Sequence, residues 1–338
     1  MEGIDWSKLS FTYIKTDYNV RCYFSDGKWS APQETTSETL EIHMAATSLH
    51  YGQTAFEGLK AFRGKDGKVR IFRMRENALR LISSCEGILM APISVELFEE
   101  SVIKAVKLNE RFVPPYESGA SLYIRPVIFG TSAQVGVKPA TEYTFIIFVT
   151  PVGPYFAEGF KTTSVVIYRG FDRAAPHGTG TFKIGGNYAA GILAGEKAHH
   201  EGYSAVLYLD AKEKKYIDEC GPANFFGIKN NTYTTPKSTS ILPSITNKSL
   251  MQLAEDNGLK VEQRQVLESE LETFEEAGMC GTAAVISPIN RVDDVEENKS
   301  YQISKDGQPG PISTKLYNQL RAIQYGDQAD IHGWVTVL

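Results

Sequence analysis

Two domains of α/β type are what this sequence predicts, and three observations carry the prediction. The chain has 338 residues, more than one ordinary core organises and close to two domains of usual size. Short apolar strand patterns and amphipathic helix patterns alternate in both halves. Between the halves, Pro151, Gly153, Pro154 and Gly159 form the strongest linker signal in the chain. The expected division is a smaller domain over residues 1–150, a linker over 151–160 and a larger domain over 161–338.

The elements follow in order. Residues 20–24 read as a strand, and Asp26-Gly27 turns it back into Lys28-Trp29. Strands over 59–62 and 69–72 are joined by a turn holding Gly64, Asp66 and Gly67. Residues 76–89 place Ala78, Leu79, Ile82 and Ile88 at helical spacing, and a second amphipathic helix covers 95–109. Apolar strands then occupy 122–129 and 143–149. Past the linker come a strand over 164–168, a glycine-rich loop, and a helix over about 187–201 that Gly202 stops. A hairpin pairs 205–209 with 215–217. The strands 225–228 and 232–234 flank Asn230-Asn231, a tight-turn pair. Ser244 or Thr246 caps a helix that ends before Gly258.

Composition narrows the function classes. Hydrophobic residues make up 42%, charged residues 22%, and the net charge is −5, so no basic field invites nucleic acid. The densest basic run, Lys212 to Lys215, is interrupted by Glu213 and reads as a solvated turn. The longest apolar stretch, 145–149, falls far short of the ~20 residues a membrane helix needs. No basic region followed by an apolar core marks a leader at the N-terminus. Cys22, Cys85, Cys220 and Cys280 are scattered without a CxxC pair, which suits buried thiols in a reducing compartment rather than a disulfide frame or zinc cage. The six histidines show no HExxH spacing, and His199-His200 point to different helix faces, so no catalytic metal is expected. By elimination the expected setting is the cytoplasm.

The most unusual segment runs from His177 to Tyr188, where Gly178, Gly180, Gly185 and Gly186 surround Lys183. Glycines let backbone approach a planar ligand closely, and a lysine amine held there can form a Schiff base with a carbonyl cofactor. Neither the GxxxxGK[ST] nor the GxGxxG phosphate-loop spacing is present, and a lysine in isolation is more often a solvated surface residue. Glu219, just past the end of the hairpin, could keep a pyridine nitrogen protonated or be an edge-strand charge. The run Ile241-Leu-Pro-Ser-Ile-Thr246 offers free amides and hydroxyls to an anion at a helix start, or serves as an ordinary cap. Arg80 could add a charge-assisted grip on a phosphate or stand as one of several exposed helix arginines.

Taken together, these residues resemble the branched-chain aminotransferases among the fold-type IV pyridoxal-phosphate enzymes. The resemblance spans about residues 11–291. Its motifs fall in the family's order: Ser48-Leu-His-Tyr-Gly, Phe56-Glu-Gly-Leu-Lys-Ala-Phe, Tyr123-Ile-Arg-Pro, Lys183-Ile-Gly-Gly-Asn-Tyr, Asp218-Glu-Cys-Gly and Gly281-Thr-Ala-Ala. It implies a two-domain α/β (α+β) fold with pyridoxal 5'-phosphate in the interdomain cleft, and a homodimer. It further implies a ping-pong transfer of the amino group of L-leucine, L-isoleucine or L-valine to 2-oxoglutarate, giving the branched 2-oxo acid and L-glutamate.

By the same resemblance Lys183 is the Schiff-base lysine, Glu219 the partner of the pyridine nitrogen and Tyr188 the hydroxyl beside the phenolic oxygen. Arg80, Ile245, Thr246 and Thr282 match phosphate-binding positions. The amides of Thr282-Ala283, with Tyr51, match the trap for the α-carboxylate. Phe11, Phe56, Tyr123 and Tyr188 would form an aromatic wall for an aliphatic side chain, and Arg125 would accept the second carboxylate of glutamate. Three positions depart from relatives: Ala284 and Ser287 stand where some animal enzymes carry a redox CxxC, and Pro222 removes a possible amide donor after the Glu-x-Gly. A D-amino-acid aminotransferase or an aminated-chorismate lyase would share the lysine and glutamate, and a non-catalytic binding protein could keep the fold. Tyr123-Ile-Arg-Pro and Gly-Gly-Asn-Tyr favour the branched-chain type.

Overall fold

The computed structural model describes residues 4–153, 160–304 and 306–338; most of the expected linker, 154–159, lies outside the described residues. The chain divides into two compact units: Met1–Tyr155 with Phe182–Gly185 and Ala322–Leu338, and Phe156–Thr181 with Gly186–Arg321. The sequence predicts each domain as one continuous stretch. Unit 1, by contrast, also takes in four residues around Lys183 and the last seventeen of the chain.

In chain order the first unit opens with β1 (Asn19–Ser25), β2 (Lys28–Trp29), β3 (Gln33–Thr35), helix α1 (Thr47–Tyr51), β4 (Thr54–Phe56), β5 (Leu59–Arg63) and β6 (Val69–Phe72). Helices α2 (Met74–Gly87) and α3 (Val95–Leu108) and the long strands β7 (Ser121–Gly130) and β8 (Tyr143–Val152) complete its main stretch. Then come β9 (Thr163–Ile167), α4 (Gly185–His200), β10 (Ala205–Leu209), β11 (Ile217–Cys220), β12 (Ala223–Lys229) and β13 (Thr232–Pro236). Helix α5 (Ile245–Asp256), β14 (Lys260–Arg264), β15 (Glu276–Gly281), β16 (Val285–Asp294), β17 (Lys299–Gln302), α6 (Pro311–Tyr325) and β18 (Val335–Val337) follow.

Unit 1 is an antiparallel sheet in the order β18-β6-β5-β7-β8-β1-β2, with β3 on β1 and β4 on β7. Helix α3 follows from its pattern: Ser94 caps it by accepting from Leu97 N, and Phe98, Val102, Ala105 and Val106 recur on one buried face. Helix α2 starts two residues earlier than the apolar spacing predicts and stops at Gly87. Leu89 adopts φ 53°, while Met90 N donates to Cys85 O and Leu89 N to Glu86 O. That pair of bonds is a Schellman closure, which ends the helix before the 89 expected. Both helices contribute to a core with Leu122, Ile124, Phe145 and Ile147 of the long strands.

Unit 2 contains a ring of six strands. The path β11-β10-β9-β16-β15-β12 closes because β11 also pairs with β12, which removes the open edges a flat sheet would leave. Three strand pairs run parallel and need crossovers: helix α4 links β9 to β10, helix α5 links β13 to β14, and the intervening strands join β9 to β16. Asn230 and Asn231 both adopt positive φ, 49° and 55°, as a two-residue I′ hairpin requires. The 205–209 hairpin is longer than its apolar pattern suggests, with Leu209↔Ile217 and Leu207↔Cys220 paired around a bulge. Glu219 therefore lies inside a buried strand rather than past its end. An antiparallel sheet and a mixed sheet, each with its helices, agree with the α/β expectation. All four cysteines are buried free thiols. No helix among the described residues is long and apolar enough to cross a membrane.

Candidate active site

The lysine segment belongs to unit 1, and its backbone is pinned from two sides. Lys183 N donates to Ser84 Oγ of α2 at 2.9 Å, its carbonyl accepts from Phe56 N at 3.0 Å, and Ile184 bridges Ala55. The amine lies 4.8 Å from the centre of the Phe56 ring. Arg125 meets the same ring at 5.0 Å and Tyr123 at 5.1 Å, donating from Nη2 to the Tyr123 hydroxyl at 2.9 Å. Phe11 packs edge-on against Tyr123, 5.0 Å between centroids. Five of the expected residues are thus neighbours: Lys183, Phe56, Tyr123, Arg125 and Phe11. Gly58 makes the arrangement possible, since a Cβ there would sit 2.1 Å from the Tyr123 hydroxyl oxygen. The Arg125 Nε is buried without a hydrogen-bond partner among the described residues, which suits a guanidinium meant for an incoming anion. Tyr51 stands apart from this group, its hydroxyl donating to the Val135 carbonyl.

Arg80 also lies in unit 1, on α2. It forms a two-pronged pair with Glu57, Nε to Oε1 and Nη2 to Oε2, both at 2.7 Å. Glu57 is 0% exposed and further accepts from Asn77 Nδ2 at 2.8 Å and Gly58 N at 3.2 Å.

The remaining expected residues lie in unit 2. Glu219 and its neighbour Asp218 are both buried, on alternate faces of β11. Asp218 accepts from Ser238 and Ser240 hydroxyls. Glu219 receives Arg173 Nε at 2.7 Å, Leu242 N at 3.0 Å and Asn224 Nδ2 at 2.9 Å. Burial pushes the Glu219 carboxyl up to about 7, against the pull of Arg173 and of the two hydrogen bonds. Asn224 faces Glu219 across the ring-closing pair and Cys280 on its other side. Two residues beyond Cys280, Thr282 and Ala283 form the turn into β16. That turn ends on Val285 with φ 68°, a costly conformation for a β-branched residue and a mark of a turn held in a set shape. Ser244 is the cap of α5, accepting from Asn247 N. Thr246 is helical, and Ile245 and Thr246 supply first-turn amides. Tyr188 sits half-buried in the first turn of α4. Gly221, with φ 50°, and Pro222 make the β11–β12 turn, so Pro222 has no amide to offer there.

Sequence reasoning passed over Glu57, Asn77, Ser84, Arg173 and Asn224. Glu57 sits within a quoted motif, yet its partner is 23 positions away, beyond any local spacing rule. Arg173 precedes Lys183 by ten residues and carries no motif; only the fold puts it on Glu219.

The donor set fits a phosphorylated pyridine cofactor. An amine rests on an aromatic face, a buried carboxylate has a pyridine-nitrogen partner's chemistry, and amides open a helix beside hydroxyls. Comparison with known proteins agrees. The family model for amino-transferase class IV matches residues 54–292. The chain is 47% identical to a branched-chain-amino-acid aminotransferase of Helicobacter pylori, covering 99% of this chain and 98% of the relative. It is 43% identical to one of Haemophilus influenzae, with 99% of each covered. Among solved structures, the Escherichia coli branched-chain amino acid aminotransferase superposes with a TM-score of 0.80 at 28% identity, covering 95% of this chain and 99% of that one. A T.th. branched-chain amino acid aminotransferase complexed with N-(5'-phosphopyridoxyl)-L-glutamate gives a TM-score of 0.77 at 25% identity over 96% and 99%.

Proposed function

The chain belongs to the class IV aminotransferases, as a pyridoxal-phosphate transaminase of branched-chain amino acids, and from this premise we propose how its own residues divide the work. The cofactor supplies the electron sink that lets an amino acid shed its α-proton and leave its amino group behind for a 2-oxo acid. Lys183 anchors the cofactor, and its amine then moves the proton from the substrate α-carbon. Glu219 holds the proton on the pyridine nitrogen. Tyr188 donates toward the phenolic oxygen, and Arg80, Thr282 and the amides of Ile245 and Thr246 hold the phosphate.

The single observation that carries these roles is the Glu219 environment: a fully buried carboxylate kept in place by Arg173, Asn224 and Leu242 N. These three donors hold the carboxylate in one orientation despite its desolvation, which suits a partner for a pyridine nitrogen. Substrate recognition is divided in the same way. Amides of Thr282 and Ala283 take the α-carboxylate, with Tyr51 as the hydroxyl expected alongside. Phe11, Phe56, Tyr123 and Tyr188 provide the apolar wall. Arg125, whose buried Nε has no hydrogen-bond partner among the described residues, takes the second carboxylate of glutamate. The T.th. relative complexed with N-(5'-phosphopyridoxyl)-L-glutamate supports glutamate as a substrate. L-Leucine, L-isoleucine or L-valine thus donates, and 2-oxoglutarate accepts.

We also propose a homodimer in the cytoplasm. Support for the dimer comes from an apolar surface on unit 1, where Met44, Val135 and Val137 are each more than 80% exposed, an arrangement usually covered in an assembly. Sedimentation of the holoenzyme tests it. The function test is optical: the visible band of the bound cofactor should fall on adding L-leucine and return with 2-oxoglutarate. A band that L-leucine leaves unchanged but a D-amino acid bleaches would overturn the substrate assignment.

A further inference from the structure

We propose that Glu57 is the positioning residue for the phosphate arginine, so that the affinity this protein gains from the cofactor's phosphate depends on a carboxylate that never touches it. The inference rests on the reading of Arg80 as a phosphate contact.

The geometry singles out Glu57. A guanidinium has a side edge, Nε with one Nη, and an end edge, Nη1 with Nη2. Glu57 occupies the side edge of Arg80 with two bonds of 2.7 Å, so a phosphate would meet the end edge. A fully buried carboxylate that only needed neutralising could accept a single bond from a flexible cation. Instead Glu57 is fixed by two further donors, Asn77 Nδ2 one turn before Arg80 on the same helix and the amide of Gly58. Carboxylate, helix and the link between β4 and β5 therefore set the guanidinium plane together, and rotation about the arginine's own torsions would break two charge-assisted bonds at once. The arrangement has a cost. Glu57 cancels part of the arginine's charge toward an incoming dianion, so the pair trades attraction for orientation. Such a trade makes sense only where direction matters more than net charge, as for a forked contact to phosphate oxygens.

The position in the chain adds meaning. Phe56, beside Glu57, lies under the Lys183 amine and Arg125, and Ser84, one turn after Arg80, holds the Lys183 backbone. Residues 56–58 and helix α2 thus locate the anchoring lysine and the arginine from one rigid corner of unit 1. The phosphate grip and the anchoring amine are set by the same two elements.

The test compares binding of pyridoxal phosphate and of pyridoxal, which lacks the phosphate, to the cofactor-free full chain by equilibrium dialysis. Arg80→Met should lower the preference for the phosphorylated form roughly ten- to a hundredfold, the value of one charge-assisted contact. Glu57→Gln, which keeps the shape but offers one acceptor oxygen instead of two, should lower it about as much, and the double variant no further. Pyridoxal itself should bind all three variants as it binds the original. Arg80→Lys, a charge without a fork, should also lose the preference. Full preference in Glu57→Gln alongside its loss in Arg80→Met overturns the positioning role and leaves the Arg80 reading standing. Full preference in Arg80→Met removes the Arg80 reading, and this inference with it. Full preference in Arg80→Lys shows that charge suffices and also overturns it, even if Glu57→Gln fails to fold. Equal losses for both ligands in Glu57→Gln would mark general damage to the fold and count against the proposal as well.

Discussion

Burial and an ion pair pull the Glu219 carboxyl in opposite directions, and the balance sets a pH range. Burial raises it to about 7 from 4.5, with Arg173 the strongest force holding it down. A carboxyl raised in the folded state binds its proton more tightly there than in the unfolded chain. Its contribution to stability is therefore full below about 4.5 and lost as pH rises through about 7. Removing Arg173's charge leaves only the two hydrogen bonds to oppose burial, so in Arg173→Met the carboxyl should rise further. Two readouts follow. The acidic limb of kcat/KM against pH should move to higher pH in that variant, and the melting temperature of the cofactor-free variant should hold to higher pH before declining. An unmoved acidic limb would mean that Arg173 acts only as packing. Lys183 gives a cleaner residue-scale test: Lys183→Ala should abolish turnover while the cofactor-free protein melts at about its original temperature, checked by calorimetry. Lys183, Glu219 and Arg80 could be singled out as candidates from the sequence because each sits in or beside a short motif or a patterned helix. Their partners Ser84, Arg173 and Glu57 were not, because these contacts join positions 23 to 99 residues apart that only the folded chain brings together.

Elements were legible where periodicity met a stop signal. Strands β6 and β10 match the pattern to the residue, and the Asn230-Asn231 turn follows from residues that tolerate positive φ. Helix α2 shows how the reading goes astray: its apolar spacing runs on through Ile88, yet the chain closes the helix with Leu89 in a left-handed conformation that nothing in a leucine signals. Leu89 is 70% exposed, so its side chain contributes little burial to offset that strain. Leu89→Gly should consequently stabilise unit 1 by up to about 1 kcal/mol, the left-handed penalty less glycine's greater entropy when unfolded. A lower melting temperature in this variant would sink the argument. At α5 the expected sign is opposite. Ser244 was one of two candidates for the cap, and the structure chooses it by its bond from Asn247 N. Ser244→Ala should cost about 1 kcal/mol, read as a lower melting temperature, whereas Thr246→Ala should leave the cap intact.

At the scale of the whole molecule, the composition and the linker signal point to two bodies but not to how the chain is shared between them. Hydrophobic patterning reports which face of an element is buried, not which neighbour buries it, so the return of the C-terminus to unit 1 left no local mark. That return is substantial. Strand β18 pairs with β6 over Val335↔Phe72 to Val337↔Arg70, and Arg73 N donates to Trp334 O. Tyr325 packs 5.0 Å from Phe62 and donates to Ala120 O at 2.8 Å. Deleting Ala322–Leu338 should thus strip an edge strand from the unit 1 sheet and expose Phe62, which is buried in the complete chain. The lost burial of that one ring is worth roughly 2 kcal/mol. Amide exchange should then accelerate in β5 and β6, with the backbone of the six-strand ring in unit 2 protected as before. If β5 and β6 kept their protection after the deletion, the last seventeen residues would be an appendage, and the continuous two-domain division drawn from the sequence would describe the stability of the molecule better than its contacts do.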